Sequence, residues 1–580
     1  RTPSKTKAQK QPCRGPLFIL VLVAGLCGGG LNSRVNWEAR MIKVPVLIVG
    51  GGPIGLTTSI LLSRYGVASR LVERHPGTAF HPKARNINMR TMEVFRQCGV
   101  EDDVRAAGLA IERTVYLIWA ESLAGREIER RVPRRSNEFG PSPSAVRHCL
   151  CAQDDMEPAL RKYAEKLAPG TIEFGTELTH FEQDASGVIA TVRDADGEKQ
   201  IRAQYMLAAD GARSRVRPAL GIGLHGMREV YRSINVLMTA DLEQWVKDRP
   251  AAIYLIQQPG LRCTFLTING ANRWGFLINL PIDASFEPYN AKRCVEVVRQ
   301  AAGVPDLEVK ILGIDPWVAA ALVADRFSAG RVFVAGDAAH EMPPTGGFGL
   351  NTGVQDAHNL AWKLAAVLKG WAKPELLDTY DTERRPWGQW VTDEALAHAY
   401  SMGRGPQHDI ASGDSPALAR PEFHSELGVI FGASYTSPAI IPDGTDPPEI
   451  TNRVSQYIPT ARPGARAPHA WLQNNGHRTC THDLIGMGFA VFAGEKGQPW
   501  CDAARAVSAS LGVPMKAYTV GTNADFGDPD GQWVERYGVE KDGAVLVRPD
   551  GHVAWRQRAG VADPARAIEG ALRAMSLGRA

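Results

Sequence analysis

An α/β fold is what this sequence predicts: a parallel sheet of doubly wound type, an antiparallel sheet inserted into it, and a smaller α/β domain after it. Three observations predict this. An apolar strand, a G-x-G-x-x-G and a helix follow one another between residues 43 and 66. Two further apolar segments end in Asp210-Gly211 and Gly336-Asp337. Between those lie three short strand-like runs separated by turn signals. The chain has 580 residues, too many for one hydrophobic core, so two or three domains are expected.

The first segment opens with Lys43–Val49 (KVPVLIV), a short apolar run of strand type. It leads into Gly50-Gly51-Gly52-Pro53-Ile54-Gly55. Ile54 to Tyr65 reads as a helix stopped by Gly66, and Ser69–Glu73 (SRLVE) as a second strand ending in an acid. Each element has a task. Gly50 permits a tight turn, Gly52 lets a pyrophosphate approach the backbone, and Gly55 lets helix and strand pack closely. The helix start, with Pro53 and Ile54, offers unpaired N–H groups and the positive end of a dipole to phosphates. Glu73 stands where an acid accepts hydrogen bonds from ribose hydroxyls, with Arg74 beside it. The ordered set predicts dinucleotide binding but does not separate FAD from NAD.

The second segment, Tyr205–Ala209, runs into Asp210-Gly211-Ala212-Arg213-Ser214-Arg215. The third, Arg331–Ala335, runs into Gly336-Asp337-Ala338-Ala339-His340-Glu341-Met342-Pro343-Pro344-Thr345-Gly346-Gly347-Phe348-Gly349-Leu350-Asn351, followed by a helix-like stretch to Lys369. No C-x-x-C occurs, which argues against a two-dinucleotide disulfide reductase.

With the three motifs in this order and spacing, residues Val44 to Trp390 resemble the single-component flavoprotein hydroxylases, the group of p-hydroxybenzoate hydroxylase and phenol hydroxylase. The resemblance implies a Rossmann-like FAD-binding domain. It implies that Asp337 bonds the ribityl chain and that Gly346, Gly347, Gly349, Leu350 and Asn351 present backbone to the isoalloxazine ring or pyrophosphate. Gly336 belongs to the same motif, and Pro343 and Pro344 would stiffen the loop, since proline fixes φ and lacks an N–H. Asp210 and Gly211 would position FAD. Arg85 and Gln153 match family residues near the cofactor. His340 is read as structural, and no catalytic side chain or metal ligand is assigned. The resemblance further implies a monooxygenase that uses NAD(P)H, NADPH favoured, and O2 to hydroxylate a phenolic or polyketide-like substrate through a flavin C4a-hydroperoxide. A Baeyer–Villiger or epoxidising enzyme on the same scaffold is one alternative, and a flavin-binding protein without turnover another.

Residues 222–320 read as an inserted antiparallel-sheet substrate domain within a cofactor domain spanning 41–400. Its strands are Ala251–Gln257, Arg262–Ile268 and Trp274–Leu280, with Tyr254, Phe265, Trp274 and Phe276 as candidate pocket residues. Residues 401–467, rich in Pro, Gly and Ser, read as a linker or wrapping segment. From 468 to 580 strand-like Gly488–Ala493, Lys516–Thr522, Gly543–Arg548 and His552–Arg556 alternate with helix-like Cys501–Leu511 and Pro564–Leu577, the last capped by Asp563. This part resembles the thioredoxin-like domain attached to phenol hydroxylase and aromatic polyketide hydroxylases. It departs from redox thioredoxins in holding only Cys501 near the active position, so a structural or dimer-contact role is expected.

Residues 1–40 carry seven Lys or Arg against Glu38, and a basic stretch (Lys5, Lys7, Lys10, Arg14) precedes apolar Leu17–Leu26. That run is shorter than the ~20 residues a spanning helix needs. It is read as an extension ahead of Met41, with membrane anchoring or export as the alternative. The remainder sums to about −2 by the same counting, which gives no electrostatic reason to bind nucleic acid. The nine cysteines are scattered, as in a reduced cytoplasmic protein. Expected partners are a small aromatic or polyketide-like substrate and O2, in a monomer or homodimer without a membrane partner.

Overall fold

The computed structural model describes residues 41–110, 112, 116–131, 142–404 and 426–579. Leu17–Leu26 lies outside the described residues. Val46, Leu47 and Ile48 have no exposed surface. A run apolar at every position must be covered on both faces, and Val46–Val49 is buried throughout. Ile42–Val49 pairs in parallel with Ser69–Glu73, Val46 opposite Ser69 and Val49 opposite Val72. The sheet runs Ser328–Ala329, Val332–Val334, Gly197–Ala208, Ile42–Val49, Ser69–Glu73, Ile172–Phe174. Strands Glu177–Asp184 and Gly187–Asp194 form a hairpin that extends it along Gly197–Ala208. All three motifs therefore start at ends of neighbouring strands in one sheet, where α/β folds bind ligands.

Helix Pro53–Arg64 packs against helix Gly349–Leu368. A Cβ on Gly353 would come within 2.7 Å of Ile54 and 3.0 Å of the Gly336 backbone, so glycine allows this approach. Every residue from Asn351 to Ala366 in the longer helix is buried. Such a helix is covered all round, and its polar members need protein partners.

The second sheet has eight strands in the order His340–Glu341, Lys310–Ala324, Leu224–Thr239, Arg273–Leu280, Leu261–Thr267, Ala251–Gln258, Tyr116–Ala120, Glu127–Arg131. It draws strands from both sides of residues 222–320. Tyr116–Ala120 runs parallel to Ala251–Gln258, and His340 pairs with Val323. One face buries Tyr254, Phe265, Trp274, Phe276 and Ile278 against helix Ala291–Ala302, through Cys294, Val297, Val298 and Ala301. The other face is turned to a cleft. The outermost strand, Glu127–Arg131 (EIERR), carries charge at four of five positions, a composition that guards an open sheet edge.

The C-terminal part is a thioredoxin-like α/β unit. Its sheet order is Met515–Thr519, Phe489–Ala493, Ala544–Val547, Val553–Gln557, the first pair parallel and the others antiparallel. Helices Gln498–Leu511 and Pro564–Ala574 pack together beside it. Asp563 caps the second, accepting from Arg566 N at 2.9 Å. Among the described residues no helix is long and apolar enough to cross a membrane.

A dry charged seam joins this unit to the helices behind the first sheet. Glu383, on helix Thr379–Ser401, accepts from Lys363 Nζ at 2.8 Å, from both terminal nitrogens of Arg548 at 2.7 and 2.9 Å, and from Asn359 at 2.7 Å. Arg548 also pairs with Asp550. The side chains of Lys363, Glu383 and Arg548 have no exposed surface. Burial alone would raise the Glu383 carboxyl, but Arg548 and Lys363 reverse this and hold it well below the usual carboxylate range. Glu93 is held low in the same way, by Arg466 first. Removing one partner of a buried pair leaves the other charge uncompensated, which costs about 3–5 kcal/mol. Glu383→Ala is therefore expected to lower stability by that amount, read from denaturant unfolding, with Glu383→Gln intermediate. The pH sign follows from the depressed carboxyls. Their contribution is complete above the unfolded values, roughly pH 4–4.5. It is lost as pH falls towards the folded ones, so the wild type should lose stability in acid more steeply than Glu383→Ala.

Candidate active site

Between the two sheets lies a cleft of about 1840 Å³. Its lining takes in Gly50, Gly52, Pro53, Ile54, Glu73, Arg74, Arg85, Gln153, Asp210, Gly211, Asp337, Pro343, Gly346, Gly347, Gly349 and Leu350. Three of the residues singled out from the sequence, Gly55, Gly336 and Asn351, stand behind that wall rather than on it.

The three glycines of the first motif answer different demands. Gly50 has φ 114°, and a Cβ there would lie 2.2 Å from Ala209 O. On Gly55 it would lie 1.9 Å from Gly50 O. On Gly52 the nearest atom is Glu157 Oε1 at 3.9 Å, so that glycine faces open space. Gly52 is also the N-cap of helix Pro53–Arg64, with no side-chain cap and no acid in the first turn. Unanswered N–H groups at a helix start facing a cavity suit an anion.

Glu73 closes the far side of this turn. It accepts from Gly51 N at 2.7 Å and from His75 N at 2.8 Å. Glu157, which the sequence reading missed, lies next to it. It accepts from Gln153 Nε2 at 2.6 Å and from Ala79 N at 2.7 Å, tying the loop after Glu73 to helix Gln153–Leu167. Its only sequence signal is the four-residue spacing from Gln153, which puts both on one helix face. Burial pushes its carboxyl upward, and the two hydrogen bonds offset this in part.

Asp210 follows strand Gly197–Ala208. Its Oδ2 accepts from Arg215 N at 2.9 Å and from Val216 N at 3.3 Å, while its Oδ1 is buried without a partner. Gly336 has φ 60°, and its N–H donates to Asp356 Oδ2 at 3.0 Å. The turn this makes leaves the Asp337 side chain open to the cleft. Desolvation by the surrounding protein raises the Asp337 carboxyl, with His340 and Lys83 opposing. His340 is wholly buried, its Nε2 2.8 Å from Asp356 Oδ2, and it is not part of the cleft lining.

Asn351 spends its whole carboxamide on protein. Oδ1 accepts from Asn88 N at 2.9 Å and from Thr91 Oγ1 at 2.7 Å. Nδ2 donates to Asn86 O at 2.8 Å and Gly347 O at 2.7 Å. It braces the glycine loop from behind. Arg85 does face the cleft, but its guanidinium donates to Thr267 O at 3.0 Å and Ala252 O at 2.7 Å, fastening the loop to the second sheet.

Three of the four aromatic pocket candidates require correction. Tyr254, Phe265 and Trp274 point to the opposite face, packed under helix Ala291–Ala302, whereas Phe276, buried in the same cluster, also reaches the cleft lining. Strand side chains alternate, and a single sequence does not say which parity is inward. The cleft instead meets Ile253, Leu255, Leu266 and Leu277. In the C-terminal unit Cys501 is buried, its thiol pushed up to about 11 by burial, so it is not a poised nucleophile.

An open glycine cradle at a helix start, an unpartnered Asp210 oxygen and a carboxyl aimed into the cleft fit FAD, whose pyrophosphate and hydroxyl-bearing chain need those groups. The cleft continues past them beneath a mainly apolar sheet. This is the site of a flavin-dependent aromatic hydroxylase. Residues 43–395 match the FAD binding domain family, and residues 460–580 match the aromatic-ring hydroxylase C-terminal domain. The chain belongs to this FAD-dependent aromatic-ring hydroxylase family. It is 40% identical over 545 residues to aklavinone 12-hydroxylase RdmE of Streptomyces purpurascens, covering 92% of this chain and 98% of that protein. It is 39% identical over 554 residues to 4-methyl-5-nitrocatechol 5-monooxygenase of a Burkholderia species, covering 92% and 98%. Among solved structures, the flavin-dependent monooxygenase PieE in complex with FAD and substrate superposes with a TM-score of 0.84 at 35% identity, covering 92% of this chain and 99% of that one.

Asp337→Ala and Gly52→Val are each expected to lower bound FAD roughly tenfold or more, the size of one lost hydrogen bond to a charged group or of a blocked phosphate approach. The measurement is flavin absorbance per protein after desalting, and full retention in Asp337→Ala would contradict this reading of the cleft.

Proposed function

We propose that this protein is an FAD-dependent monooxygenase that takes NAD(P)H, with NADPH preferred, and O2 to hydroxylate a fused-ring, polyketide-like phenol. One observation carries the substrate size. The cleft holds about 1840 Å³, whereas pockets for one small ligand reach about 1,000 Å³. Space remains beside a dinucleotide for a ligand of several rings.

Bound FAD supplies the redox chemistry, hydride acceptance from the nicotinamide and oxygen activation for the ring. The chain's residues bind, orient and exclude. The free N–H groups of the Pro53 helix start would hold the pyrophosphate, with Gly52 leaving it room. Glu73 offers carboxylate lone pairs to a ribose. Asp210 Oδ1 and the Asp337 carboxyl receive hydroxyl donors, which gives the unpartnered oxygen its donor. Pro343 holds the loop over the ring portion, and Gly346 and Gly347, at φ 85° and 70°, bring the backbone close. Ile253, Leu255, Leu266 and Leu277 make a dry wall, which protects the oxygenating step from water. The C-terminal thioredoxin-like unit, lacking a thiol pair at Cys501, serves as a structural buttress.

The expected outcome is that a hydroxylated anthraquinone stimulates NAD(P)H oxidation by the yellow holoenzyme and that isotopically labelled O2 delivers one labelled atom into a ring hydroxyl. Label entering from water would exclude the monooxygenase. A ring-expanded lactone or an epoxide as product would replace hydroxylation with the alternative oxygen insertion.

A further inference from the structure

The cleft-facing side of the second sheet is not uniform. Over strands Ala251–Gln258, Leu261–Thr267 and Arg273–Leu280 it presents Ile253, Leu255, Leu266 and Leu277. Towards Leu224–Thr239 and Lys310–Ala324 it turns polar. Asn235 stands opposite Leu277 on one side and Asp315 on the other, and Ser233 stands opposite Asn279. Asn235, Asn279 and Asp315 all line the cleft.

These polar groups differ in how they are used. Asn235 Oδ1 accepts from Ser233 Oγ at 3.1 Å. The carboxamide of Asn279 and the carboxylate of Asp315 have no side-chain partner among the described residues, and the Asn279 oxygen is buried. Buried acceptors without a partner are uncommon in folded proteins. The Asn279 oxygen is one of these, and the half-exposed Asp315 carboxylate on the same wall adds a charged acceptor that no protein side chain answers.

Their separation says what carries the donors. They sit two strands apart and two residues out of step. With strands about 4.8 Å apart and about 3.3 Å per residue, the two positions are roughly 10–12 Å from each other. The hydroxyls of a single-ring phenol are too close together to reach both. Two hydroxyls on the outer rings of a linear fused system match that span, with the ring bodies lying against the leucines.

Building on the hydroxylase reading above, we propose that Asn279 and Asp315 are the specificity-determining pair of the substrate site, each accepting a hydrogen bond from a hydroxyl on a different ring of a linear polycyclic phenol. Recognition through acceptors that the ligand itself covers is discriminating, because a ligand without the hydroxyl leaves the covered acceptor unanswered. The pair fixes the ring system at both ends and so sets which carbon is presented for oxygen transfer.

The test is equilibrium binding to the holoenzyme, followed by the change in flavin absorbance on titration with 2,6-dihydroxyanthraquinone and with hydroxyl-free 9,10-anthraquinone. Wild type should bind the diol at least tenfold more tightly than the parent quinone. Asn279→Leu and Asp315→Leu should each weaken the diol about tenfold, one hydrogen bond's worth. Each should shift the parent quinone less than threefold, and keep wild-type flavin content and unfolding midpoint. Asn279→Asp, which keeps the acceptor, should retain most of the diol affinity. No preference for the diol in wild type, or equal losses for both ligands in the leucine variants, would overturn the proposal. The hydroxylase reading fails separately, if labelled O2 never enters any ring while these binding differences hold.

Discussion

The architecture of the site depends on one buried carboxylate. Asp356 has no exposed surface and sits in the middle of the long helix Gly349–Leu368. It accepts from Gly336 N at 3.0 Å and from Arg384 Nε at 2.8 Å, with His340 Nε2 at 2.8 Å. Burial would raise its carboxyl, yet Arg384 and His340 outweigh this and keep it below the ordinary value. The Gly336 turn that aims Asp337 into the cleft is thus held from behind by an ion. An isolated charge at that depth would neutralise itself, so the arginine and the histidine are conditions for the turn rather than additions to it.

That arrangement continues into the C-terminal unit. Arg384 also donates to Tyr435 Oη at 2.9 Å, and the Tyr435 ring stacks on His552 with centroids 4.2 Å apart. Beside them Arg548 and Asp550 meet Glu383 and Asn359. One continuous dry polar layer therefore runs from the cofactor loop to the thioredoxin-like sheet. Through Tyr435 and His552 the C-terminal unit reaches Arg384, the ion partner of Asp356 behind the Gly-Asp turn. A half-satisfied network of this kind is worse than an apolar core, so the two parts are coupled energetically.

Much of this was legible in the sequence wherever the local pattern and the chemistry coincide. Gly50 and Gly55 were assigned tight-turn and close-packing tasks, and their surroundings leave no room for a Cβ. Strand Ser69–Glu73, the Asp563 cap and the missing second thiol near Cys501 were visible for the same reason: each is decided within a few residues. The long strands Leu224–Thr239 and Lys310–Ala324 were missed because their polar and apolar faces change along their length. Asn351 closes a glycine-rich run, and the work of its side chain, four hydrogen bonds to residues up to 265 positions away, lay outside that local pattern. Glu157 gave almost no signal, since a glutamate on an amphipathic helix is ordinarily solvated.

The sequence by itself determined the class of chemistry, because glycine positions, helix starts and a terminal acid are local solutions to binding a dinucleotide. Tertiary structure alone decided which sheet face meets the cleft. Strand parity is a choice between two equivalent sides until a helix covers one of them. Here Ala291–Ala302 took the side bearing Tyr254, Phe265 and Trp274, and left the leucines, Asn279 and Asp315 to the cleft.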